Sequence, residues 1–318
     1  MFKNLEHLKK YALISKIEKG ILLSPQSPIL IVKSKKNNNL SKYCAPFNPY
    51  IGAMIPYTPI HHLIMSKIDF PLICTSGNLS EEPIAYENEE ALLRLKDIAD
   101  YFLMNNRPIE RYIDDSVLKI IKNKPLVIRR ARGYAPLPFI INKNLPQILA
   151  LGPYLKNTIA ISKFNRIIVS QHIGDLDNEK SFNAFKKVIE DFKKLYEFKP
   201  EVIACDAHPE YLSTKYGEDL SKKENIPLIK VFHHHAHIAS CMIENKIDEE
   251  VLGVSWDGTG FGKDGKIWGG EFLICNFKDF KRFATFREFG LLGGDKAIKE
   301  PRRSAIGVLY EIYGEKTF

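Results

Sequence analysis

Val231-Phe232-His233-His234-His235-Ala236-His237, and further on Val254-Ser255-Trp256-Asp257-Gly258-Thr259-Gly260, is the stretch from which the fold is read. The apolar residues up to Phe232 predict a strand, and the residues after it a helix. Positions i and i+4 of a helix share a face, so His233 and His237 can aim two imidazoles at one point. Asp257 closes a second apolar strand at a Gly-rich turn and can add a carboxylate. Two imidazoles and one carboxylate with open positions suit Fe(II) and equally Zn(II). A solvated, His-rich helix start is the competing reading. Four of the nine histidines fall within five residues here, and spacing of this kind is tied to metal chemistry by mechanism, not by composition.

Outward from this stretch the chain repeats a pattern. Upstream, Ile148–Gly152, Asn157–Ser162 and Arg166–Ser170 predict three strands. A helix over about 178–198 follows, with Phe182, Phe185, Ile189, Phe192 and Leu195 on one face. Then come strand Val202–Asp206, a helix over about 210–224, strand Leu228–Phe232 and the histidine helix. Downstream, Val251–Trp256, Ile267–Cys275 and Phe283–Phe289 predict three more strands, with a helix from about 300. The order βββαβαβα, complete once and then restarting, with Gly-rich turns after each first strand, resembles the actin-like core related to ribonuclease H. The turns that would face phosphate are Leu151–Thr158 and Asp257–Gly262.

The first part reads differently. Residues 1–20 predict a basic amphipathic helix using Leu5, Leu8, Ala12 and Ile17, and Ile29–Val32 a buried strand. Pro56 and Pro59 introduce a short helix carrying His61 and His62. Pro71–Cys74 predicts a strand delivering Thr75, Ser76, Gly77 and Asn78 into a turn whose hydroxyls and amide suit a phosphate or carboxylate; an ordinary Ser-Gly-Asn turn is the alternative. A helix over 88–100 would turn Ala91, Leu92, Leu95 and Ile98 inward. Val117–Ile121 is a strand, and Arg129, Arg130 and Arg132 offer forks suited to phosphate or a solvated basic edge. Pro136, Pro138, Asn142, Asn144 and Pro146 mark the domain boundary. Residues 1–142 and 147–318 are thus the two expected domains, the first α+β and the second of the βββαβαβα type, α/β overall.

With 318 residues, 45% hydrophobic and 26% charged, the composition is that of a soluble globular protein. A net charge of +8 permits acidic ligands without demanding nucleic acid. Five cysteines without a Cys-x-x-Cys pair argue against a disulfide framework. No apolar run approaches a membrane span, and the start lacks an apolar signal core, so a cytoplasmic location is expected.

Longer strings sharpen the reading. Thr75–Ile84, Arg111-Tyr112-Ile113-Asp114-Asp115-Ser116-Val117 and Arg129–Pro136 resemble the YrdC-like domain of the hydrogenase-maturation carbamoyltransferases, the HypF family. Leu151–Thr158, Ser170-Gln171-His172-Ile173-Gly174-Asp175-Leu176-Asp177, Phe232–His237, Asp257–Gly262, Trp268–Glu271 and Gly293–Arg302 resemble its Kae1-like domain. The resemblance implies a relay using carbamoyl phosphate and ATP with Mg2+. Carbamoyl-adenylate forms in the YrdC-like domain, and the carbamoyl group passes through the Kae1-like domain to the C-terminal cysteine of a partner, HypE. By the same resemblance Thr75, Ser76, Asn78, Ser116 and Arg129 line the adenylate site. Gly258 and Gly260 belong to the second nucleotide turn, and Lys156 and Asn157 lie near nucleotide phosphates. His233, His237 and Asp257 hold the metal. Against the family pattern, the acylphosphatase-like domain, the zinc modules, the start of the YrdC-like domain and the later part of the actin-like core are missing, and Asn105 stands where the family usually shows His. The chain therefore looks like the middle of a longer enzyme or one product of a split gene, needing a complementing chain, with uncovered apolar surface and poor solubility. YrdC-like and Kae1-like domains also serve tRNA threonylcarbamoylation; that, and a non-catalytic docking remnant, are the alternative readings.

Overall fold

Leu5–Tyr11 (α1) begins at Asn4, whose side chain caps the His7 N–H. The helix expected over 1–20 is in fact two. Ala12–Leu13 (β1) separates α1 from Lys16–Leu22 (α2), and Ser15 opens α2 with a reciprocal capping box to Glu18. The break has a physical reason. Ala12 pairs with Ser34 of Ile29–Ser34 (β2), and Ser15-x-x-Glu18 is itself a start signal for a new helix. The computed structural model describes residues 1–80, 82–294 and 296–318; Glu81 and Asp295, each inside a family-like string, lie outside them.

Two units follow from the contacts: Met1–Ile203 with Asn225–Pro227, and Ala204–Glu224 with Leu228–Phe318. The first contains a mixed sheet. β2 pairs antiparallel with β1 and with Tyr50–Ala53 (β3), and parallel with Val117–Ile121 (β4), which pairs antiparallel with Lys124–Arg129 (β5). Leu30 and Val32 alternate inward on β2 and meet Leu5, Leu8, Leu22, Ala53 and Leu118 in one apolar cluster, as the period of two in a strand requires. Pro59–Ser66 (α3) carries Pro59 in its first turn and is capped by Thr58. Asn88–Leu95 (α4) stops short of the expected helix, and Leu92 and Ile98 are exposed, not inward. Residues 71–74 form no strand; the described residues between α3 and α4 are irregular.

The same unit holds Phe139–Leu145 (β6), Ile148–Ala150 (β7), Ala160–Val169 (β8), Glu179–Leu195 (α5) and the start of Val202–Asp206 (β9). The Pro/Asn stretch expected at the domain boundary carries a strand, β6, lying beside β8. Its prolines stand outside the paired residues, where a missing N–H costs no ladder bond. The two strands expected over 157–170 are one, β8, which pairs with β7 through Leu149↔Ile161 and with β6 through Phe139↔Ile167. The order βββαβαβα survives, because β6 supplies the strand that the merger removes. Phe185, Ile189 and Phe192 of α5 are buried, each contributing about 2–3 kcal/mol, whereas Leu195 is exposed.

β9 continues into the second unit, which adds Leu212–Glu224 (α6), Leu228–Val231 (β10), His233–Glu244 (α7), Val251–Phe261 (β11), Ile267–Cys275 (β12), Phe280–Thr285 (β13), Lys296–Lys299 (α8) and Pro301–Tyr313 (α9). β11, β12 and β13 form an antiparallel sheet in that order. Ile238 and Met242 of α7 pack on Trp268, Leu273 and Phe280 of this sheet. Leu252, Val254, Trp256 and Phe283 are exposed. The Gly-rich run Asp257–Gly262 is not a turn: β11 runs on to Phe261, and the turn comes at 262–266, closed by the Gly262 N–H to Lys266 O. Among the described residues no helix is long and apolar enough to cross a membrane.

Candidate functional sites

The first turn of α7 sorts its four histidines onto two faces. His234 and His235 are buried. The Nε2 of His234 lies 3.3 Å from Gly269 O and that of His235 lies 2.7 Å from Asn276 O. These rings serve the packing of helix on sheet. His233 and His237 point the other way, with their Nε2 atoms 3.1 Å apart.

Asp257 completes the group, and the strand explains how it gets there. Trp256 pairs with Gly270 and Gly260 with Trp268, so β11 has three residues between these pairs where β12 has one. Such a bulge leaves residues out of the ladder and re-aims their side chains. The Oδ1 of Asp257 accepts the Gly258 N–H at 2.8 Å. Its Oδ2 lies 2.9 Å from His233 Nε2 and 3.4 Å from His237 Nε2. Gly260 is required by the close approach of the helix, since a Cβ there would stand 2.6 Å from His234 Cε1; one on Gly258 would meet nothing within 4 Å.

The three ligand atoms lie within 4.8 Å of one another, and the individual separations fit a common ion. Donors held about 2.0–2.1 Å from a metal in tetrahedral or octahedral array stand roughly 3 Å apart. Exposure rises outward across the group, from 14% for the His233 side chain to 36% for Asp257 and 53% for His237, so one side faces solvent, as a reactive metal centre needs. Hydrogen bonds to Asp206 and to Asp257 push the pKa of His233 up to about 9, and those same histidines hold the Asp257 carboxyl well below the usual carboxylate range. Asp206, in the sequence only the last residue of a strand, is the other partner of His233.

The first unit holds the remaining candidates. Thr75 and Ser76 are exposed, and the Asn78 amide donates to Leu79 O. The turn is closed by the Ala85 N–H to Gly77 O. Ser116 is buried; its hydroxyl donates to Arg132 O and accepts the Ala131 N–H. Arg129 lies half-open beside Asp114, 3.7 Å between charged atoms. Ser116 and Arg129 are brought together at the base of β4 and β5. No hydrogen bond among the described residues joins them to Thr75, Ser76 or Asn78. Arg132 is taken up structurally, bonding Asp115, Gln26 O and Ser27 O and stacking on Tyr57. Lys156 is exposed, with its backbone N–H on Asp175. Asn157 is buried, and its amide donates to Leu151 O and Pro153 O, closing the loop between β7 and β8.

A YrdC-like fold followed by a Kae1-like fold with a His/His/Asp group is the class that these features define. Residues 143–244 match the family described as HypF Kae1-like domain, and 253–318 the second subdomain of the carbamoyltransferase Kae1-like domain. Residues 1–131 match the Sua5/YciO/YrdC family, described as telomere recombination. The carbamoyltransferase HypF of Synechocystis sp. is 43% identical over 317 residues, 99% of this chain and 41% of that protein. A full-length HypF solved in a phosphate- and nucleotide-bound form superposes with a TM-score of 0.93 at 48% identity, over 98% of this chain and 41% of that one. The T. kodakarensis HypF structure gives 0.92 at 36% identity. The chain belongs to the HypF family, and it spans about two-fifths of the length of these relatives.

Proposed function

We propose that this chain carries part of the machinery of a HypF-type carbamoyltransferase acting in hydrogenase maturation. Residues 1–142 are its adenylating domain and 147–318 its transfer domain. The observation that carries the reading is the convergence of His233, His237 and Asp257 on one solvent-facing point, in a chain whose relatives are named carbamoyltransferases. The substrates are carbamoyl phosphate and ATP with Mg2+: hydrolysis of carbamoyl phosphate releases phosphate and carbamate, and the carbamate oxygen attacks the α-phosphorus of ATP, giving carbamoyl-adenylate and expelling pyrophosphate. In the second step the thiolate of the C-terminal cysteine of HypE attacks the carbamoyl carbon. A C–S bond forms, the C–O bond to the adenylate phosphate breaks, and AMP leaves.

The residues of the chain divide the work. Thr75, Ser76 and Asn78 offer small donors on an accessible turn, and Arg129 a guanidinium for phosphate. Ser116 shapes the strand end that presents Arg129, since its own hydroxyl is saturated by backbone. Lys156 presents a cation beside the loop that Asn157 holds closed. Gly258 gives the Asp257 carboxylate a backbone N–H, and Gly260 lets the histidine helix approach. His233, His237 and Asp257 would hold Fe or Zn, which when bound supplies Lewis-acid polarisation of a carbonyl or phosphoryl oxygen. The reaction is cytoplasmic in this reading.

The test is the metal content of the purified chain beside the His233→Ala, His237→Ala double variant, followed by ATP-dependent carbamoyl transfer with the remaining HypF segments added in trans. Stoichiometric Fe or Zn lost in the variant supports the proposal. No metal in the wild type, or transfer unaffected by the double substitution, refutes it.

A further inference from the structure

One carboxylate at the histidine group has no part in the ligand set. Asp206, at the end of β9, is 5% exposed and places Oδ2 3.0 Å from His233 Nδ1. It is itself held on two sides. Its Oδ1 accepts the His208 N–H at 2.8 Å, and its backbone carbonyl accepts the hydroxyl of the buried Thr214 at 3.0 Å. The loop after β9 thus holds the carboxylate, and the start of α6 the backbone that carries it, before the carboxylate meets the ring.

The geometry points to Asp206 as the residue that positions His233 for metal binding without touching the metal. This rests on the metal reading above. The two nitrogens of an imidazole point away from each other, so an acceptor on Nδ1 stands on the far side of the ring from a ligand on Nε2. An acceptor at Nδ1 selects the Nδ1–H tautomer and leaves the Nε2 lone pair for the ion. Without it the neutral ring divides between two tautomers, one of which cannot bind, and it loses the contact that sets its rotation. Asp206 lies outside the ligand group formed by His233, His237 and Asp257, which agrees with a role exerted through the ring.

The experiment is titration of the full chain with Zn2+ and with Co2+, comparing wild type, Asp206→Ala, Asp206→Asn, Asp206→Glu and His237→Ala. Asp206→Ala is expected to weaken binding by about 10–100-fold, with partial recovery in Asp206→Glu. At saturating Co2+ its visible absorption band should keep the wild-type shape, since all three ligands remain, whereas His237→Ala should change it. Nitrogen chemical shifts of the Zn2+ form should show His233 as the Nδ1–H tautomer in the wild type. Should Asp206→Ala fail to fold, Asp206→Asn keeps the volume and a weaker acceptor, and a loss of about tenfold is expected. Wild-type affinity in both variants overturns the inference. A Co2+ band altered as in His237→Ala also overturns it, because Asp206 is then a ligand. A wild type that takes up neither ion overturns the metal reading first and this inference with it.

Discussion

Gly260→Ala and Gly258→Ala make a matched pair that separates a packing role from a ligand-cradling one. At Gly260 the added Cβ would stand 2.6 Å from His234 Cε1, 2.8 Å from its Nδ1 and 3.1 Å from His233 Cβ. Carbon atoms in ordinary contact stand about 3.5–4.0 Å apart, so the overlap is close to an ångström. His234 cannot yield: it is fully buried and sits against Gly269 O. The first turn of α7 must therefore draw back from β11. That motion opens the 2.9 Å contact between His233 and Asp257. Overpacking of this kind costs about 1–3 kcal/mol. Removing a strand glycine returns up to about 1 kcal/mol through the unfolded chain, leaving a net loss of up to about 2 kcal/mol. At Gly258 the added methyl meets nothing, so that variant should be neutral or slightly stabilised. Urea denaturation, run without and then with nucleotide, measures both. Equal stabilities, or a deficit in both variants that appears only with nucleotide, would refute the packing argument and return the two glycines to a phosphate-binding role.

Other outcomes follow from single features. Arg282→Ala should cost about 3–5 kcal/mol, because it strips both charge-paired contacts (2.6 and 3.1 Å) from Glu271, which is 1% exposed; denaturation midpoints compared with Arg282→Lys check this. Ser15→Ala should remove about 1 kcal/mol by undoing the capping box of α2, read as a shift in thermal midpoint. Burial lowers the pKa of His7, His61, His172 and His234. The unfolded chain then takes up protons that the folded chain refuses, so stability should fall as pH drops below about 6.5. His233 works in another window: its raised pKa stabilises the metal-free chain fully below about 6.5, and that contribution is lost as pH rises through about 9. Urea midpoints between pH 5 and 10 should show both limbs in the wild type and lose the alkaline one in His233→Ala.

The histidine helix was legible because its signal is local: an i,i+4 pair lies within one turn, and the apolar residues on either side set its bounds. β4, β9, β10 and β12 were legible for the same reason. What the sequence concealed depends on partners distant in the chain. Ala12 has good helical spacing but is drawn into a strand by Ser34. Pro136 to Pro146 has the composition of a linker, yet Phe139 and Ile140 find β8. Asp257 looks like the end of a strand because glycines follow it; only the register against β12 shows a bulge inside a longer strand. The role of Asp206 lies in a contact spanning 27 residues that no spacing rule marks.

One turn of α7 is pinned to a sheet on one side and holds a chemical group on the other, so the two cannot be adjusted separately. Trp268 and Phe280, packed beneath that helix, set how far it stands off β11. They thereby set the span between the imidazoles and the carboxylate. In the proposed metal site, preference among ions of different radius would become a property of the apolar interior: exchanging one core aromatic for a smaller side chain would retune that preference with His233, His237 and Asp257 left in place.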